Sequence, residues 1–189
     1  PLPAKHVDTG MGFDRVVAIL QGKKSNYDTD LFQPIIQVIS ELTGKRYAGS
    51  QSAIHDPQSE IDIAMRVIAD HVRALTFAIA DGAIPSNEGR GYVLRRILRR
   101  AARFGRNLDM HEPFIYKLVP TLVATMGDAY PEVRAKQSLV EQVIKGEEEG
   151  FNQTLDRGLE IFKTVVTRIG HSKVFPGEEN EEKRKVWGS

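Results

Sequence analysis

The chain has 189 residues, of which 41% are hydrophobic and 27% charged, with a formal net charge of +1. This is the composition of an ordinary globular protein with a buried core, and near-neutrality excludes a uniformly basic nucleic-acid binder, so any such binding must come from a local patch. Cysteine is absent, which excludes a disulfide framework and a thiolate zinc site, and no apolar run reaches the roughly 18 residues of a membrane span.

In chain order, "FDRVVAIL" at 13–20 has apolar residues at 13, 16, 17 and 20 and predicts a short amphipathic helix ended by Gly22. "GKKSNYDTD" is a loop in which Ser25 or Asp28 is placed to cap a helix over about 29–43, with Gly44 as its stop. Residues 45–58 read as an irregular loop. Ile61, Met65, Ile68, Val72, Leu75 and Ile79 then share one face of a helix over 61–80. "DGAIPSNEGRG" is rich in turn residues, and a helix over 91–104 follows, with Gly105 as its stop. Another helix is expected over 112–126. A long one runs from Pro131 to Ile169, with Leu139, Val143, Phe151, Leu155, Leu159, Phe162, Val166 and Ile169 on its apolar side and Gly170 after its end. Gly146, Gly150 and Gly158 oppose that helix by about 1 kcal/mol each against alanine. No strand run or internal repeat stands out. The fold class is all-α: an irregular helical bundle with one long C-terminal helix.

The stretch "SNEGRGYVLRRILRRAARFGR", residues 86–106, holds seven arginines and a single acid. Arg95, Arg99 and Arg103 share one helical face, and Arg96 and Arg100 form a neighbouring row. Leu94, Ile97, Leu98 and Ala101 make the opposing apolar stripe, so the helix can dock on a core and present guanidinium groups outward. Like charges one turn apart repel, so something must offset them. One candidate is the acids of "KGEEEG", otherwise a solvated face. The other is phosphate, to which arginine is suited by its bidentate fork. In the loop before the helix, Asn87 carries both a donor and an acceptor and can read a base edge, or it and Ser86 can simply cap the helix. Gly89 and Gly91 permit close backbone approach.

The N-terminal "DTGMGFDR", residues 8–15, places Gly10 and Gly12 before a helix whose first turn carries Arg15. That pattern suits a phosphate clamp or an ordinary turn. The histidines are scattered without metal spacing. Asp70 and His71 are adjacent on a helix, about 100° apart, and are not expected to pair.

Taken together, "DTGMGFDR", "LQGKKSNYDTDLF", "RVIADHVRAL" and "SNEGRGYVLRRILRRA", in that order and spacing, closely resemble the alanyl-tRNA synthetase family over about residues 1–177. The resemblance implies that residues 1–20 are the end of a class II catalytic domain (motif 3, with Asp14 where Glu is usual). Residues 21–177 would be the helical tRNA-recognition domain and 178–189 a polar tail. It implies ATP contacts at Gly10, Gly12 and Arg15, and acceptor-stem contacts at Asn87, Arg90, Arg95, Arg96, Arg99, Arg100 and Arg103. Asn87 matches the family's asparagine that bonds a G·U wobble pair at the third position of the tRNA(Ala) acceptor stem. The family's second reader, an aspartate in a "YDTYGFP" motif, has no counterpart, because "VFPG" is followed by "EENEEKRKVWGS". The resemblance further implies a cytoplasmic ATP-dependent ligase in its complete form, with Mg²⁺ at its catalytic centre and Zn²⁺ outside these residues. Its catalytic and editing domains would be partners, with no membrane or DNA. No metal and no complete catalytic set are expected within this chain.

Overall fold

A computed structural model describes residues 10–49 and 57–171. The elements, in order, are α1 (Phe13–Leu20), a 3-10 turn (Asn26–Asp28), α2 (Gln33–Thr43), α3 (Pro57–Ala80) and α4 (Gly89–Asn107). A second 3-10 turn (Ile115–Leu118), α5 (Val119–Met126), α6 (Pro131–Ala135) and α7 (Gln137–His171) follow. No strand occurs among the described residues, so the all-α class holds. No described helix is long and apolar enough to cross a membrane. The described residues divide into two compact units at Asn152. The expected polar tail at 178–189 lies outside the described residues.

The core of the first unit is organised around α3, which buries Met65, Ile68, Val72, Leu75 and Ile79 completely. These are the residues its period predicts, with Ile61 partly buried at the edge. Helix α3 packs most extensively against α4, which buries Gly91, Leu94, Leu98, Ala101, Ala102 and Gly105. Helix α2 adds Ile35, Ile36 and Ile39, and α5 adds Val119, Leu122, Val123 and Met126.

The observed helix limits depart from the periodic expectation for identifiable reasons. Helix α2 starts at Gln33 rather than 29, because Pro34 has no N–H to give and belongs in a first turn. Ser25 instead caps the 3-10 turn, its Oγ accepting from Tyr27 N at 3.3 Å. Pro120 likewise delays α5 until Val119, so the expected helix over 112–126 opens with a 3-10 turn. Gly105 does not stop α4, which continues to Asn107. It is a packing glycine instead: a Cβ there would lie 2.5 Å from Phe114 Cε1.

The expected long C-terminal helix breaks at Lys136, which caps α6, while its Nζ donates to Ala80 O near the end of α3. Helix α7 then runs through Gly170 to His171. Its buried side is Val140, Ile144, Glu148 and Asn152, one position away from the predicted stripe, and Leu139 is 45% exposed. In the second unit Leu159, Phe162 and Val166, also predicted apolar-side residues, are exposed.

Two polar residues therefore occupy core positions on α7. Asn152 Nδ2 donates to His111 O at 3.4 Å. Glu148 is buried and accepts from Phe114 N and Ile115 N, the free donors at the start of the 3-10 turn, at 3.2 and 3.0 Å. "KGEEEG" is thus not wholly a solvated face. Burial pushes the Glu148 carboxyl up to about 7 from the ordinary 4.5, against the two backbone N–H groups and the more distant Lys117 and Arg106.

A carboxyl whose folded pKa lies above its unfolded value binds more protons in the folded state. Its contribution to stability is full below about pH 4.5, is lost as the pH rises toward about 7 and levels off above that. Urea denaturation across this range should show that decline in the native protein and a flatter profile in Glu148→Gln. Glu148→Ala, which orphans both N–H groups, should cost about 1–3 kcal/mol below about pH 4.5, and that cost should shrink as the pH rises toward about 7.

Candidate nucleic-acid interface

Helix α4 is built to face two environments. Its small and aliphatic residues dock on α3, so its arginines emerge on the opposite side. Arg90, Arg96, Arg99, Arg100 and Arg103 are exposed, and Arg95 is half-buried. The Arg95 and Arg99 guanidinium groups converge on Glu147 of α7. Arg95 Nη2 donates to Glu147 Oε2 at 2.9 Å, and Arg99 Nη2 lies 3.5 Å from Oε1. Arg99 also lies over the Phe151 ring, 5.4 Å from its centroid. Arg96 stacks near Tyr92 and Arg100 near Phe104, at 5.8 and 5.9 Å. Among the described residues, Arg90, Arg96, Arg100 and Arg103 form no ion pair. One acid therefore answers two of the arginines and leaves four cations facing outward. The predicted row of Arg95, Arg99 and Arg103 divides accordingly, two paired and one free.

The turn before α4 is shaped by glycine. Gly89 takes a φ of 55°, the left-handed region open to a residue without Cβ. Gly91 is needed for contact within the chain: a Cβ there would lie 2.2 Å from Ser86 Oγ and 2.4 Å from Ile84 O. Ser86 Oγ donates to Glu88 O at 2.9 Å, tightening the turn. The N-cap is Glu88, not Ser86 or Asn87, and no side chain bonds the first-turn N–H groups. Asn87 is exposed and its Oδ1 accepts from Arg95 Nη1. The turn thus holds Asn87 at the end of the arginine strip.

Glu147 is the residue that sequence reasoning missed as an individual. Only its charge within "KGEEEG", already a candidate counter-ion, hinted at it. Neighbouring Glu148 faces the core, and adjacent helix positions differ by about 100°.

The N-terminal motif sits elsewhere. Gly12 is the N-cap of α1, and the Arg15 side chain folds back over it, with a Cβ at Gly12 lying 3.4 Å from Arg15 Cδ. Gly10, Gly12 and Arg15 are exposed. Asp14 is engaged inward by Arg73, whose Nη1 and Nη2 donate to its two oxygens at 2.7 and 2.6 Å. The same guanidinium lies 4.4 Å from the centre of the Phe32 ring. This bidentate pair fixes α1 to α3 and holds Arg73 in its charged form. On α3, Asp70 and His71 do pair, at 3.2 Å, against the helical-wheel expectation. The side chains lean together from adjacent positions, and that bond lowers the Asp70 carboxyl pKa. No group of three acids or histidines that could hold a metal ion occurs among the described residues.

A family model described as tRNA synthetases class II (A) matches residues 1–182. The chain is 61% identical over 166 residues to an alanine–tRNA ligase of Chlorobaculum tepidum, covering 88% of this chain and 18% of that protein. It is 58% identical over 169 residues to that of Chlorobium phaeovibrioides, covering 89% and 18%. To the alanine–tRNA ligase of Salinibacter ruber it is 47% identical over 186 residues, covering 96% and 19%. The chain spans a little under a fifth of the length of these curated relatives.

Gly91→Ala tests the built turn. The new methyl group meets backbone at Ile84 O, which cannot swing aside as a side-chain tip can. The expected loss is about 1–3 kcal/mol in chemical denaturation, the range for overpacking.

Proposed function

The chain belongs to the tRNA synthetase class II (A) family, and from that membership we propose that it is the acceptor-stem reader of an enzyme that ligates alanine to tRNA. The observation that carries this reading is the exposed strip of Arg90, Arg96, Arg100 and Arg103, without ion-pair partners among the described residues and running from the turn that presents Asn87. A strip of guanidinium groups tracks phosphates and supplies salt-dependent affinity. A polar side chain at its end supplies sequence information. The minor groove of A-form RNA is the accessible one, and a G·U wobble leaves the guanine amino group unpaired there. Arg95 and Arg99, tied to Glu147, stand behind the strip as support as well as charge.

Gly10, Gly12 and Arg15 fit one side of a nucleotide site in the complete enzyme. Arg15 offers an exposed guanidinium above a glycine backbone, suited to an ATP phosphate. Asp14, facing Arg73, is not free to hold Mg²⁺. In this reading the catalytic metal ions, the zinc and the alanine pocket belong to other parts of a cytoplasmic enzyme. Its remaining catalytic and editing domains are this chain's partners, and neither DNA nor a membrane is a target. ATP and Mg²⁺ supply activation of alanine as its adenylate. What these residues contribute is placement of the tRNA end.

Titration of the chain with two acceptor-stem hairpins, one with G·U and one with G·C at the third pair, tests the proposal. The G·U stem should bind more tightly, and Asn87→Ala should abolish the difference. Arg103→Ala should weaken both stems alike and lower the salt slope by about one unit. Equal, salt-sensitive binding of both stems favours a general helical RNA binder. Absence of binding at low salt would leave a structural bundle. The chain alone should show no alanine-dependent pyrophosphate exchange, and detectable exchange would refute its role as a reading module without catalytic competence.

A further inference from the structure

Three side chains from three parts of the chain form a relay. Glu147 on α7 is 15% exposed and Arg95 on α4 is 21% exposed. They are joined through Arg95 Nη2 and Glu147 Oε2 at 2.9 Å, with Arg95 Nε 2.8 Å from Oε1. The remaining Nη1 of Arg95 donates to Asn87 Oδ1. A guanidinium has five donors and no acceptor, so it can meet an asparagine only through the carbonyl oxygen. The planar amide of Asn87 is thereby oriented: its oxygen is turned to Arg95 and its two N–H groups are turned away, on an exposed turn.

We propose that Glu147 is a positioning residue that acts through Arg95 on Asn87, so that Asn87 meets its ligand as a hydrogen-bond donor to an acceptor in an RNA minor groove. This rests on the RNA reading above and deepens it. The acceptors available there are purine N3, pyrimidine O2 and the ribose 2′-hydroxyl. The unpaired guanine amino group of a wobble pair is itself a donor and must be met by something else. Glu147 is ill suited to general charge neutralisation, since it leaves four arginines of the same helix without an ion pair. Its geometry instead fixes the one arginine that reaches the turn. An exposed asparagine with free rotamers would lose that freedom on binding, and the relay removes that cost in advance.

The test uses the full chain and the two hairpins, with a third carrying inosine in place of the wobble guanosine, which deletes only the amino group. Glu147→Ala should reduce the preference for G·U over G·C by about tenfold, the scale of one charge-assisted hydrogen bond. In an Asn87→Ala background the same change should not alter the preference at all, and Glu147→Gln, which keeps an acceptor, should restore part of it. Asn87→Ala should weaken inosine·U and G·U stems by the same factor. If the Asn87→Ala effect vanishes on the inosine stem, Asn87 accepts from the amino group and the donor assignment is overturned. If Glu147→Ala only tightens all stems and steepens the salt slope, the acid is a neutraliser and the relay is overturned. A second readout needs no RNA: the side-chain amide resonances of Asn87 should move on Glu147→Ala, and unchanged resonances overturn the relay. A wild-type chain that binds no stem overturns the RNA reading and the donor role, one that binds G·U and G·C alike overturns the wobble-reading role and with it the donor role, and in either case the amide resonances still decide the relay.

Discussion

The close packing of α4 on α3 is the constraint from which the rest follows. Gly91, Ala101, Ala102 and Gly105 let the helix sit deep against its neighbours, with Leu94 and Leu98 filling the space between them. A helix seated that way has only one direction for its long cationic side chains. The arginine strip exists because the opposite side of α4 is buried, and its cations repel one another at a cost that the core must offset. The first turn of α4 sits close against the chain that leads into it, Gly91 lying against Ile84 O and Ser86, so Asn87 belongs to a tightly packed turn rather than to a free loop.

Helix α7 extends this logic with two adjacent acids. Glu148 faces inward and satisfies the backbone donors that the 3-10 turn at 115–118 leaves open. Glu147 faces α4 and engages two of its arginines. One carboxylate completes the scaffold and the other organises the surface, and a rotation of about 100° between neighbouring helix positions separates the roles. At the other end of the first unit, the Asp14–Arg73 pair fastens α1 and leaves Arg15 outward. In both places a buried or half-buried charge pair stands beside an arginine that is left exposed.

Helical identity and the core-facing residues of α3 and α4 were legible in the sequence, because a 3.6-residue period in aliphatic side chains reports a buried stripe directly. So was the arginine strip, and the ordered motifs pointed to the family that the chain belongs to. The start of α2, the opening of α5 and the break at Lys136 were not read correctly. Proline's missing N–H governs the first two, and a lysine reaching to the Ala80 carbonyl accompanies the third. The buried side of α7 was misplaced by one residue, since apolar counting passes over Glu148 and Asn152, core residues satisfied by backbone partners.

By itself, then, the sequence determined where positive charge concentrates, which stripes of α3 and α4 are buried and which family the motifs match. These are properties of residue type and spacing along one helix. Only the tertiary structure decided which arginines are free, that Glu147 serves two of them and that Asn87 is held by its oxygen. Glu147 lies 52 residues from Arg95 in the chain. No local pattern encodes a pairing at that separation, because it arises from the docking of α7 beside α4 and from donor and acceptor geometry that exists only once the core has formed.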